Sequence, residues 1–195
     1  MTDPLGEQDD ASTPLTEEER KELIPAYITL RHELNEAEQA NMLEAEEWAF
    51  ERKRNVLSER FLTDLHKRMF GRVWRWAGKF RRTARNIGID AYRIPQELRL
   101  LLDDCRFWIE NNTYEPDEIA ARFHHRLVWI HLFPNGNGRH ARLSTDLLLV
   151  ALGRPRFSWG RVNLVDAGET RHTYVAALRA ADNHDIEPLL DFVRS

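Results

Sequence analysis

The stretch His131-Leu132-Phe133-Pro134-Asn135-Gly136-Asn137-Gly138-Arg139-His140-Ala141-Arg142 decides how this chain is read. Just upstream, Ile119, Phe123, Leu127 and Ile130 recur at three- and four-residue steps, the period of one helix face, so a helix ends near His131. Downstream, Leu143, Leu147 and Val150 resume that period, so a new helix opens near Gly138 or Arg139. A turn that feeds a helix N-terminus presents unpaired backbone N–H groups at the positive end of the helix dipole, which favours an anion. Gly136 and Gly138 let the backbone approach a ligand closely. Arg139 and Arg142 are three apart and project from one helix face toward the same anion. His131, across the turn, is the group able to act as a base near neutral pH. A base, an anion cradle and two arginines point to phosphoryl or nucleotidyl transfer. The plainer reading of the same residues is a helix connector with solvated arginines.

Working outward, helical periodicity dominates. Val56, Leu57, Phe61, Leu65, Met69 and Val73 form one apolar stripe, and Leu98, Leu101, Leu102, Cys105 and Ile109 form another. Further helices are expected over 35–53, 168–181 and 188–193. Thr16 followed by Glu19 has the spacing of a capping box, and residues 1–15 read as a disordered tail. Between Ala77 and Pro95 the helical pattern breaks. Gly78 and Gly88, with Ile87, Ile89, Tyr92 and Ile94, predict a short hairpin or flap. The expected class is all-α with a small β excursion, in three parts: the tail, an N-terminal helical segment over 16–58 and a main domain over 59–195.

Composition narrows the function classes. The chain has 195 residues, 42% hydrophobic and 31% charged, with a net charge of −4 and one cysteine. Such a chain is neither disordered nor coated in basic charge for duplex DNA, and Cys105 alone forms no internal disulfide and no zinc site. The apolar run 147–152 is far too short for a membrane span, and the acidic start does not resemble a signal peptide, so a cytoplasmic setting is expected. Charge is unevenly spread. Acids exceed bases by about ten up to residue 59, and the balance reverses from Arg60 to Arg93. That reads either as two solvated faces of opposite sign or as a basic wall beside an anion site.

The ordered string 131–142 resembles the Fic family signature, His-x-Phe-x-(Asp/Glu)-Gly-Asn-Gly-Arg-x-x-Arg, through His131, Phe133, Gly136, Asn137, Gly138, Arg139 and Arg142. Trp74-Arg75-Trp76-Ala77-Gly78-Lys79-Phe80-Arg81, the Ile87-Gly88 turn and the tail around Tyr174, Ala177 and Leu178 are similar to the rest of that domain, over roughly 61–192. Within the family the variant looks most like the branch called mobile mystery protein B. The resemblance implies a Fic fold, a helical bundle with a small β-hairpin flap. It also implies a protein adenylyltransferase that moves AMP from ATP to a Tyr, Thr or Ser hydroxyl of a target protein. His131 would deprotonate that hydroxyl, and Asn137 with the N–H groups of Gly136 and Gly138 would hold phosphates. Arg139 and Arg142 would bind the β- and γ-phosphates, and Phe133 would anchor the loop. Asn86 and Ile87 would border the nucleotide on a flap that docks the target segment by strand addition. The resemblance allows a homodimer; neither a membrane nor a specific nucleic acid is expected as partner.

Two departures bear on this. Leu132 replaces the usual proline, and Asn135 replaces the acid that holds Mg²⁺; an amide oxygen ligates without charge, so metal affinity should fall. That substitution keeps other outcomes open: AMP removal, another phosphate transfer, or a weakened interaction module. Thr29 and Glu33, one helical turn apart, resemble the family's inhibitory motif, in which Glu33 would pair with Arg142. His124, His125 and His140 read as structural histidines rather than metal ligands.

Overall fold

The computed structural model describes residues 16–160 and 167–195; the expected tail over 1–15 lies outside the described residues. Thr16 caps α1 (Glu17–Arg20) with a capping box to Glu19, as the sequence spacing predicts. The chain then runs antiparallel to 73–75. Ile24 N–H donates to Val73 O at 2.8 Å, Arg75 N–H to Glu22 O at 3.0 Å, and Leu23 bridges Trp74.

α2 (Arg31–Phe50) packs along α3 (Glu59–Phe70), which turns Phe61, Leu62, Leu65 and Met69 inward. The buried line of α2 is Leu34, Glu38, Asn41, Ala45 and Ala49, at helical spacing and with two polar members. Trp48 stacks on Phe61 with ring centroids 5.9 Å apart. A 3₁₀ turn (Ala91–Arg93) leads into α4 (Ile94–Glu110), which opens with Pro95 in its first turn, where the missing N–H costs nothing. α5 (Pro116–Ile130) and α6 (Asn137–Ala151) form the tightest helix pair. α7 (Ala167–Asp182) and α8 (Glu187–Arg194) close a second apolar cluster on Ala120, Leu149, Phe157 and Leu189. The helices expected from periodicity are all present. No helix among the described residues is long and apolar enough to cross a membrane.

The expected hairpin requires correction. Among the described residues 77–95 contain no strand, and 79–90 form an irregular loop. Its backbone is held by a side chain rather than by a ladder. The buried Arg81 guanidinium donates to Thr83 O at 3.0 Å and to Ile89 O within the loop, and to His131 O at 2.6 Å and Ile130 O at 3.3 Å beneath it. Carbonyls that a neighbouring strand would have paired are satisfied by one cation.

Opposite charges of the two sequence segments meet in two ion pairs, Glu19 with Arg85 and Glu44 with Arg72; Glu46 pairs with Arg156 further along the chain. Arg72 and Arg85 of the basic run thus tie the N-terminal segment to the core. The cleft lined by Glu44, Asp64, Lys67, Arg68 and Arg72 holds none of the signature residues.

Candidate active site

His131 is the residue at which α5 stops. It adopts a left-handed conformation (φ 57°, ψ 66°) and is 5% exposed. For a non-glycine residue that conformation costs energy, here offset by Arg81, which fixes the His131 carbonyl and whose N–H donates to Leu132 O at 2.9 Å. Burial, then the Arg81 charge, pushes the His131 imidazole down to about 4, with the nearby Arg85 charge adding a smaller effect in the same direction. At neutral pH the ring is therefore uncharged and able to accept a proton. Gly88 in the loop above lies against it: a Cβ there would stand 2.5 Å from His131 Cβ, and φ is +91°.

The turn that follows is built from inside. Asn137 turns its side chain inward: Phe133 N–H donates to Asn137 Oδ1 at 2.8 Å, and Asn137 Nδ2 donates to Phe133 O at 2.8 Å. The Asn137 side-chain amide is thus engaged in holding the turn. Phe133 is fully buried, as an anchor should be, with its ring stacked on His66 at 3.6 Å. Gly136 has φ +77°, and a Cβ there would meet the Phe70 ring at 2.6 Å, so only glycine fits. α6 opens at Asn137, and among the described residues the first-turn N–H groups of Asn137, Gly138 and Arg139 have no hydrogen-bond acceptor, leaving donors for an anion. His140 N–H is the first to close the helix, onto Gly136 O at 2.9 Å.

The two arginines part company. Arg139 Nη1 donates to Glu38 Oε2 at 2.6 Å, while the other oxygen of Glu38 accepts from Trp74 Nε1 at 2.7 Å. Glu38 is 7% exposed, so this is a largely buried carboxylate with both oxygens occupied. The Arg142 charge lies near the buried Tyr174 hydroxyl, which is 2.7 Å from His124 Nε2. Glu33 does not pair with Arg142. Its carboxylate accepts from the N–H groups of Thr29 at 2.8 Å and Leu30 at 2.9 Å, capping α2, and those bonds lower its pKa. Asn86 and Ile87 are exposed on the loop over His131, without the strand edge expected of them.

Asn135 offers little to a cation. Its Oδ1 accepts from Gly136 N–H at 2.6 Å, and the side chain brings no charge. Among the described residues no cluster of three acidic, histidine or cysteine side chains could hold a metal ion. The signature turn itself therefore supplies no carboxylate to Mg²⁺. His124, His125 and His140 make structural contacts: His124 bonds Tyr174, His125 pairs with Asp182 at 2.8 Å, and His140 bonds Leu62 O at 2.9 Å. Three residues lay outside the sequence reading of the site. Glu38 had a signal, an acid inside the apolar stripe of its helix. Arg81 and His66 had none in local spacing.

A buried base at the end of one helix, next to the open N-terminus of the following helix and roofed by a loop, defines a helical domain built to handle an anionic group at a base. The chain carries a Fic/DOC domain: residues 56–149 match the Fic/DOC family model. It is 32% identical over 136 residues to Protein adenylyltransferase Fic of Drosophila grimshawi, an alignment covering 68% of this chain and 27% of that protein. It is 29% identical over 145 residues to Protein adenylyltransferase Fic of Aedes aegypti, covering 72% and 28%. The chain thus spans just over a quarter of the length of these relatives. Its fold matches the BepC protein of Bartonella tribocorum, a translocated effector solved with bound AMPPNP, with a TM-score of 0.69, 18% identity and coverage of 92% and 97%.

Proposed function

We propose that this chain is a protein adenylyltransferase, transferring AMP from ATP to a Tyr, Thr or Ser hydroxyl of a target protein, and that α2 holds it in check. The observation that carries this reading is the pairing of an uncharged, buried His131 with the unoccupied N–H donors that open α6. The relatives named for this activity and the ATP analogue bound to BepC support the same substrate class. His131 takes the proton of the target hydroxyl as its oxygen attacks the α-phosphorus. The bond from that phosphorus to the bridging oxygen breaks, and pyrophosphate leaves. The N–H groups of Gly136, Asn137 and Gly138 receive phosphate oxygens, and the arginines balance the departing charge. Such a base contributes about 10²- to 10⁴-fold.

The check acts through Glu38. While Arg139 is bound to that carboxylate it is not free for a phosphate. Glu38 thus takes the part that the family resemblance implied for Glu33, and on the first signature arginine rather than the second. AMP removal with Glu33 orienting a water loses its support, because that carboxylate is engaged as a helix cap. The target segment docks on the exposed loop 79–90 above His131. One buried, unpaired cysteine suits a reducing compartment, and the proposed setting is the cytoplasm. The test is incubation of Glu38→Gln and Glu38→Gln/His131→Ala proteins with α-labelled ATP and lysate. Label on protein that disappears with His131 supports the reading, and label that persists without it overturns the assigned base.

A further inference from the structure

His66 lies on α3, outside the signature, and is completely buried. Its ring touches three parts of the site at once. Gly78 N–H donates to His66 Nδ1 at 2.9 Å, at the start of the loop that covers His131. His66 Nε2 lies 3.0 Å from Asn135 O, inside the signature turn. The ring face stacks on Phe133 at 3.6 Å with planes 19° apart.

These partners fix the tautomer. A backbone N–H only donates, so Nδ1 must be the bare nitrogen; a carbonyl only accepts, so Nε2 must carry the hydrogen. The neutral ring satisfies both ends, and burial holds its pKa well below the usual histidine value.

The consequence lies at the other end of the same peptide unit. In a trans peptide the carbonyl oxygen and the following N–H point in opposite directions. Pinning Asn135 O inward on His66 therefore turns Gly136 N–H outward, away from the core. In this structure that N–H is covered by Asn135 Oδ1 at 2.6 Å, an oxygen in the place a phosphate oxygen would take. We propose that His66 is a positioning residue for nucleotide binding: through its Nε2–H bond to Asn135 O it aims the Gly136 N–H at a phosphate of the bound nucleotide, which displaces the Asn135 amide oxygen. The proposal rests on the nucleotide-binding part of the adenylyl-transfer reading.

Two substitutions separate the arms of the ring. His66→Asn keeps an acceptor where Nδ1 stands and loses the donor to Asn135. His66→Gln keeps a donor where Nε2 stands and loses the acceptor for Gly78. In the Glu38→Gln background, His66→Asn should weaken ATP binding about tenfold, the loss of one hydrogen bond to a charged group, while affinity for adenosine is unchanged. His66→Gln should restore most of that loss. A general structural defect would lower ATP and adenosine binding together, and that result, or equal weakening by the two variants, overturns the proposal. Unmodified protein gives a measurement that does not depend on the variants folding. The imidazole nitrogen resonances of His66 should report an Nε2–H tautomer, and the Gly136 amide resonance should move on addition of ATP. An Nδ1–H tautomer, or a Gly136 amide indifferent to ATP, overturns the proposal. A protein that binds ATP with this pattern yet transfers no AMP would overturn the adenylyl-transfer reading and leave the His66 assignment standing.

Discussion

Replacing Glu38 by Gln isolates the contact proposed to restrain the site. The carboxylate has two duties, accepting from Trp74 Nε1 at 2.7 Å and from Arg139 Nη1 at 2.6 Å. A glutamine has one oxygen and one NH₂. The indole N–H is a donor with no other role, so the amide oxygen turns to Trp74 and the NH₂ faces the guanidinium, donor against donor. Arg139 loses its partner while Trp74 keeps one. A hydrogen bond between charged groups is worth about 1.5–3 kcal/mol, so Arg139 is free in roughly 1–10% of molecules before the substitution, and apparent ATP affinity should rise about 10- to 100-fold after it. The lost ion pair should cost the same, about 1.5–3 kcal/mol of stability, a fall in Tm of about 3–12 °C for a chain of this size. Glu38→Ala is the poorer probe, because it strands the Trp74 N–H in the core at about 1–3 kcal/mol. The assays are calorimetric ATP titration and a melting curve on the same samples. A Glu38→Gln protein that melts within that range but binds ATP no more than twofold better would refute the restraint.

Other outcomes follow from the same geometry. His131→Ala should abolish transfer by about 10²- to 10⁴-fold while leaving ATP titration intact, since its ring is assigned to the target proton and not to phosphate. Gly136→Ala should lower stability by about 1–3 kcal/mol and reduce ATP binding, because φ is +77° and the new Cβ would meet Phe70 at 2.6 Å. Acid should destabilise the fold early. His131 and His140 are pushed down to about 4 and His124 to about 3, all by burial first, against an ordinary 6.5. Below pH 6.5 the unfolded chain therefore binds more protons than the folded one, so stability falls as pH drops from 6.5 toward 4. Melting curves between pH 7 and 5 should show that decline, and a flat profile would contradict the burial of these rings.

The helices were legible because burial repeats at a fixed step: Phe61, Leu65 and Met69 announce α3 as Ile119, Phe123 and Leu127 announce α5. The anion turn was legible because its glycines and arginines are consecutive. What failed was the reading of contacts made at long sequence distance. Arg81 lies in the basic run, whose pattern does not say which way each side chain faces, yet it points inward and replaces the strand pairing expected of the flap. Thr29 and Glu33 resemble the inhibitory motif, but the same spacing suits a helix cap, which is what Glu33 makes. Glu38 shares the buried line of Leu34, Asn41 and Ala45, and an acid there has to find a cation in the core. Asn137 matches the signature, but only the folded turn reveals that its side chain is consumed by Phe133.

The central claim is transfer of the α-phosphorus with its nucleoside to protein, by a chain whose base is His131. It is tested most directly by giving Glu38→Gln protein α-labelled ATP in one reaction and γ-labelled ATP in another, with the same target extract. The expected result is label on protein from the α position alone, lost in Glu38→Gln/His131→Ala. Label arriving from the γ position, or none from either while ATP titration shows the nucleotide bound, would contradict the account.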